Sequence, residues 1–334
     1  MTAPHSPGLP MSRRRFLGLG ASCGAHLALL AVASPAAART MFRLRGPGKV
    51  VVEEPWARIE EVADGVWAVI STPLQDRKTV CNGAIVAGKE RALVVESFGS
   101  ADGARWVAGW ARRLTGRTGA DVLVTHYHAD HTGGVEGYAP AGEWTGSRLR
   151  TTRTTIDLVR GDDARRKRAP DAARDELLGG AEIVDVGRRG TIDLGGRVLR
   201  VVPRAGHTAS DLTVELDEAR VVIAGDLLWN RMFPNYVDAT PSVLSKSVHA
   251  LPHGKGTVYV PGHGPMADAD DLRRYRELLD AVEDAARRAH RAGVPAAEAA
   301  KTFKVPASLG EWLLFSPRYY EVALGAWEKE LGAH

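Results

Sequence analysis

Cysteine is nearly absent from this chain. Two occur in 334 residues, Cys23 and Cys81, and the first lies in a leader-like N-terminal segment. Without that segment one thiol remains, so an intramolecular disulfide is excluded and stability must rest on a packed core. Cys81, just before Asn82 and Gly83, reads as a small buried hydrophobe rather than a nucleophile. A strong excess of one charge is also missing. The net charge is +4, and residues 1–38 hold three arginines and no acids, which leaves about +1 for the remainder. The pI near 9.1 therefore overstates the basic character, and nothing argues for a nucleic-acid partner. Long hydrophobic runs are absent too. The most apolar stretch, residues 18–33, is about 16 residues long and contains glycines and His26, short of the roughly 20 needed to span a bilayer. That excludes a stable membrane anchor and leaves a small-molecule substrate as the expected partner.

What is present begins with an address. Ser12-Arg13-Arg14-Arg15-Phe16-Leu17 resembles the twin-arginine export consensus, and Ala36-Ala37-Ala38 offers a small-residue cleavage site. A lipid attachment at Cys23 is disfavoured, because Gly20-Ala21-Ser22 lacks the usual leucine. Residues 1–38 are thus expected to be a twin-arginine signal peptide, with export to the periplasm or the extracellular space. Residues 39–334 are then 296 residues of one domain, and 44% hydrophobic composition can build its core.

No low-complexity tract divides the remainder. Short β-branched runs at residues 50–52, 66–70, 84–86 and 92–95, with turns such as Asp64-Gly65 between them, predict an antiparallel meander. A helix is expected over residues 101–114, with Trp106, Val107, Trp110 and Leu114 as its apolar stripe and Gly116 as its stop. Residues 121–125 then read as a short buried strand. The second half repeats this order loosely, with strands at 183–186, 198–202, 212–216 and 221–224. Helices are expected at 243–251 and 270–292, and C-terminal helices begin from about residue 268. The densely charged stretch 160–176 reads as a solvated helix or loop. Two short helices after Pro295 should pack on the body, with Trp312, Leu313, Leu314 and Phe315 roofing whatever site lies there.

The chemistry is concentrated in histidines and aspartates. His126, His128, Asp130 and His131 lie in one run ending Thr132-Gly133-Gly134, at the carboxyl end of the 121–125 strand, where open α/β sheets bind ligands. His207 follows Ala205-Gly206, Asp226 follows Ala224-Gly225, and His263 sits in Pro261-Gly262-His263-Gly264-Pro265. Five imidazoles and two carboxylates on glycine turns suit a pair of borderline divalent ions. A purely structural role would not demand three further ligand types in this order. The other four histidines of the remainder, His249, His253, His290 and His334, lack such context and read as surface groups.

The order His-x-His-x-Asp-His, then His, Asp and His, closely resembles the metallo-β-lactamase-fold hydrolase superfamily, over residues 56–265. The resemblance implies an αβ/βα four-layer sandwich with metals at the rim between its halves. It implies that His126, His128 and His207 hold one zinc ion, that Asp130, His131 and His263 hold a second, and that Asp226 bridges them. Two ions roughly 3.5–4 Å apart would lower the pKa of a bridging water to about 7 and make a hydroxide nucleophile. Asp130 would orient it and pass its proton to the leaving group, which makes Asp130 the catalytic residue. An aspartate at 226, where two β-lactamase subgroups place a cysteine ligand, looks instead like glyoxalase II, lactonases, phosphodiesterases and secreted hydrolases related to sulfur-oxidation and quinoprotein-associated proteins. The expected reaction is hydrolysis of a thioester, lactone or related ester. The alternatives are a β-lactamase or phosphodiesterase of the same fold, or an iron-dependent sulfur dioxygenase. A non-catalytic binding protein would be expected to lose ligands, and all seven are present.

Two loops offer substrate contacts. Residues 72–79 correspond to the hairpin loop that overhangs the metals in the resembling proteins. Residues 229–236 follow Asp226 directly. There Trp229, Phe233 and Tyr236 are candidate pocket walls, and Asn230 or Arg231 a candidate partner for a carboxylate or carbonyl. Ordinary packing is the competing reading.

Overall fold

Alternating burial along the strands explains the layering. On β3 (Val66–Ser71) every residue is buried, with Val66, Ala68 and Ile70 facing one core and Trp67 and Val69 another. A strand buried on both faces needs cover on both. The computed structural model describes residues 46, 48–72 and 78–332. The expected export segment, residues 73–77 of the first loop, and His334 lie outside these.

The first sheet has eight strands in sequential order. β1 (Lys49–Glu53), β2 (Ala57–Ala63), β3, β4 (Gly83–Ala87) and β5 (Ala92–Val95) form an antiparallel meander. β6 (Gly119–Leu123), β7 (Gly146–Thr151) and β8 (Glu182–Ile183) extend it in parallel. The second sheet runs β13 (Val258–His263), β12 (Val221–Trp229), β11 (Asp211–Leu216), β10 (Val198–Arg204) and β9 (Gly190–Asp193), antiparallel except for the β12–β13 pair. Ile70, Val86, Leu93 and Leu123 of one sheet and Leu199, Leu212, Val214 and Ile223 of the other share a single core.

Helices cover both outer faces. α1 (Ala101–Thr115) starts at Ser100, whose hydroxyl accepts from the Gly103 N–H, and ends at Gly116 with φ 70°. It packs on the first sheet with α2 (Ala129–Thr132), a 3₁₀ turn (Val135–Tyr138), α3 (Arg153–Arg165) and α4 (Ala172–Gly179). The second sheet is covered by α5 (Pro241–His249), α6 (Ala269–Arg291), α7 (Ala296–Thr302) and α8 (Tyr319–Leu331). The order helix, sheet, sheet, helix is the expected αβ/βα sandwich. Among the described residues, no helix is long and apolar enough to cross a membrane.

Four strands were not expected. β13 carries Pro261 and Gly262, and β2, β7 and β9 carry charges inside strands: Arg58 and Glu60, Arg148 and Arg150, and Asp193. Arg58 and Glu60 are fully buried and ion-paired with each other, so the apolar alternation that marks a strand is interrupted by a pair whose charges answer one another. The charged stretch 160–176 also needs correction, because it is more than a solvated face. Arg174 is buried, and its guanidinium donates to the Thr132 carbonyl at 2.7 Å while pairing with Asp163 at 2.7 Å and Glu136 at 3.3 Å. Arg168 donates to the Gly133 carbonyl at 3.0 Å. Its arginines hold the histidine loop in place.

Candidate metal centre

The candidate ligands sit at or just beyond strand ends, except Asp226, which lies inside β12. The strand β6 stops at Leu123 and the chain turns through Thr125 into the His126–His131 run, the last part of which winds into α2. His207 follows β10, Asp226 lies within β12, and His263 closes β13. These ends meet at one rim because the two sheets face each other there. Asn82, between β3 and β4, ties the sheets together: its side-chain amide donates to the Pro261 and Gly264 carbonyls at 3.0 and 2.7 Å, and its N–H donates to the Gly262 carbonyl at 2.8 Å.

All seven residues are buried and converge. On one side, His207 Nε2 lies 3.0 Å from His128 Nδ1 and 3.2 Å from Asp226 Oδ2, and His126 Nε2 lies 3.8 Å from the same oxygen. On the other, Asp226 Oδ1 lies 3.1 Å from His131 Nε2 and 3.4 Å from His263 Nε2. His263 Nε2 is also 3.1 Å from Asp130 Oδ2. Asp226 thus divides its two oxygens between two groups of ligand atoms. Each group, His126, His128, His207 and Asp226 or Asp130, His131 and His263, gathers its atoms within 4.8 Å.

The donor chemistry fits divalent cations. His126 Nε2, His131 Nε2 and both Asp226 oxygens are buried and have no hydrogen-bond partner, an arrangement costly for a protein unless an ion answers it. Burial pushes His126 well below the ordinary imidazole range, with the His131 ring adding to the effect, so its ligand lone pair is free at neutral pH. Burial alone would raise the Asp226 carboxyl, but His263, His131 and His207 together hold it well below the usual carboxylate range. Imidazole nitrogens and carboxylate oxygens suit zinc and its neighbours.

The surroundings hold residues that sequence reasoning missed. Glu96, just after β5, adopts φ 84° and is buried. One of its oxygens lies 3.2 Å from His131 Nδ1 and accepts from the Thr125 hydroxyl at 2.5 Å; that hydroxyl is 3.0 Å from His126 Nδ1. One carboxylate therefore orients a histidine of each group, directly in one case and through a threonine in the other. Asp211 accepts from the His207 and Thr208 N–H groups at 3.1 and 3.0 Å and fixes that turn. The only sequence signal for Glu96 was an acid ending an apolar strand. Cys81 packs beside His131, and burial pushes its thiol up to about 12, so it stays protonated. Its expected role as a small buried residue stands.

The two glycines after the histidine run serve backbone packing. A Cβ on Gly133 would come within 2.4 Å of the Gly99 carbonyl, and one on Gly134 within 2.3 Å of those of Ser97 and Ser100. They let the histidine loop dock on the β5–α1 turn. Close approach to the ligands falls instead to Gly262, where a Cβ would lie 1.9 Å from Asp226 Oδ1.

Of the substrate-contact candidates, Trp229, Asn230 and Tyr236 are buried and Arg231 is part-exposed. Trp229 is fully buried and stacks on His263 with ring centroids 4.1 Å apart, and Phe315 meets both rings at 5.9 and 6.2 Å. Asn230 donates to the Pro265 and Met266 carbonyls at 3.2 and 3.0 Å. Arg231 lies 3.6 Å from Asp271, and Tyr236 is buried in the core beneath the C-terminal helices. These contacts tie the loop to His263, to the segment after β13 and to the covering helices. Phe315 takes the roofing position expected of it. His249, His253 and His290 are exposed, as expected.

The family model described as "Metallo-beta-lactamase superfamily" matches residues 77–285. Among curated proteins, the chain is 30% identical over 219 residues to a hydroxyacylglutathione hydrolase of Methylobacterium sp. (strain 4-46), covering 61% of this chain and 71% of that protein. It is 25% identical over 173 residues to the beta-lactamase-like protein 2 homolog of Caenorhabditis elegans, covering 49% of this chain. The match spans about half of the C. elegans protein, 52% of its length. Among solved structures, a metallo-β-lactamase from Erythrobacter litoralis superposes with a TM-score of 0.54 at 18% identity, over 69% of this chain and 99% of that one. Another, from Pontibacter korlensis, gives 0.52 at 21% identity, over 67% and 99%. At such identities the structures speak for the fold alone.

Proposed function

Since the chain belongs to the metallo-β-lactamase superfamily, we propose that it is a dinuclear zinc hydrolase that cleaves an ester-like acyl bond, with thioesters as the first class to test. The observation that carries this reading is Asp226, whose two oxygens serve two separate ligand groups 3.1–3.8 Å away. The 30% identity to a hydroxyacylglutathione hydrolase supports the thioester. His126, His128 and His207 would hold one ion, Asp130, His131 and His263 the other, and Asp226 both. Bound there, the ions would supply an acidified water as nucleophile and a Lewis acid for the substrate carbonyl. Asp130, at the rim beside His263, accepts a hydrogen bond from the attacking water, aims it, and returns a proton to the leaving thiol or alcohol. Glu96 and Asp211 keep the histidines from turning, so little reorganisation remains at the moment of attack.

Export by the twin-arginine route to the periplasm or beyond is part of the same proposal, supported by Arg13 and Arg14 and the alanine run after them. The reaction class is tested by a substrate screen over thioesters, lactones, phosphodiesters and β-lactams. The expected result is turnover of a hydroxyacylglutathione thioester that is lost on chelation and recovered with zinc. Iron with persulfide oxidation and no hydrolysis would overturn both metal and reaction.

A further inference from the structure

The loop between β12 and α5 carries an acid to which the chemistry above gives no task. Asp238 is buried, and its Oδ2 accepts two hydrogen bonds from the histidine run 110 residues earlier: from His128 Nε2 at 2.9 Å and from the Tyr127 hydroxyl at 2.5 Å. A neutral imidazole carries one N–H. With the carboxylate accepting at Nε2, the proton resides there, and the lone pair is left on Nδ1. That nitrogen lies 3.0 Å from His207 Nε2, inside the first ligand group. The tautomer and the ring direction that a metal ligand needs are thus both set by Asp238.

The same loop also supports His207. The Thr240 N–H donates to the Gly206 carbonyl at 2.9 Å, one residue before His207. Gly206 has φ 128° and packs so closely under α5 that a Cβ would lie 2.3 Å from the Leu244 nitrogen. His131, in the second group, takes its support from Glu96 of the first sheet instead. Within the first group His128 and His207 therefore lean on this loop, while His126 shares Glu96, through Thr125, with His131.

We propose that Asp238 is a positioning residue for the first ion alone: it holds His128 with Nδ1 facing the metal, so that the 230–240 loop tunes one ion's affinity without touching the other's. The proposal rests on the dinuclear reading above, and its test separates the two. Zinc binding to chelated protein is measured against a competing chelator in two backgrounds. In His263→Ala the second group is crippled and the first is read. In His126→Ala the reverse holds. Adding Asp238→Ala should weaken zinc about 10–100-fold in the first background and leave the second unchanged. Asp238→Asn keeps an acceptor without the charge, and should fall between. Tyr127→Phe, which leaves the His128 bond intact, should bind zinc as its parent does. Thermal melting of each metal-free variant reports whether it folds. Unchanged affinity in the first background, or an equal loss in both, would overturn the positioning role. Failure of the unmutated chain to bind zinc would overturn the dinuclear reading itself.

Discussion

At the scale of single residues, the account turns on Asp226. If its two oxygens serve two ions, Asp226→Asn removes the negative charge between two dications, and zinc content should fall from about two per chain toward one. Turnover of the best ester-like substrate should drop by about 100-fold or more, corresponding to about 3 kcal/mol of lost transition-state stabilisation. Elemental analysis and steady-state kinetics on the same preparation check both. Full occupancy and normal turnover in the Asn variant would remove Asp226 from the bridge. The seven ligand candidates were legible in the sequence because their spacing and glycine turns are local. Glu96, Asp211 and Asp238 were not. Each is one acid among 40, and its meaning comes from a partner on another strand or loop, which no local pattern records. For the loop residues Trp229, Asn230 and Tyr236 the sequence left substrate contact and packing both open, because an aromatic or amide side chain beside a ligand suits either; the structure adds their packing partners.

At the scale of elements, apolar periodicity carried most of the information. α1, expected over residues 101–114, spans Ala101–Thr115, and α6, expected over residues 270–292, spans Ala269–Arg291. What was lost is where charge is buried. β2 hides the Arg58–Glu60 pair, so removing one partner should cost about 3–5 kcal/mol, whereas replacing both by apolar residues of similar volume should be close to neutral. Denaturant unfolding of Arg58→Ala and of the double variant Arg58→Met/Glu60→Leu checks this. A mild single variant would mean that water reaches Glu60. The α3–α4 segment makes a second case. Arg174→Ala removes the donor to the Thr132 carbonyl and strands the partly exposed Asp163, while Glu136 keeps Arg168 as a partner, so about 2–3 kcal/mol of stability should go. Because Thr132 follows His131, zinc affinity should fall with it. Stability lost with zinc affinity intact would make Arg174 a strut for the helices alone.

At the scale of the whole molecule, two sheets meet face to face and the ligands gather at the rim where their strands end. Asn82 and Gly262 let the two halves touch there. Cys81 is the one cysteine among the described residues, so no disulfide helps there: the sheets share an apolar core, and two ions would pin the rim. The export proposal belongs to this scale as well. Arg13→Lys with Arg14→Lys should leave the precursor uncleaved inside the cell, and mass spectrometry of the wild-type product should find an N-terminus near Arg39. Normal export of the double variant would reject the twin-arginine address.

The central claim is that two ions at this rim perform a hydrolysis. It is tested most directly by titrating zinc into chelated protein while following cleavage of a hydroxyacylglutathione thioester. The account predicts no turnover without metal and a rise that levels off at about two equivalents of zinc per chain. Turnover in the chelated protein, or a plateau at one equivalent, would contradict it.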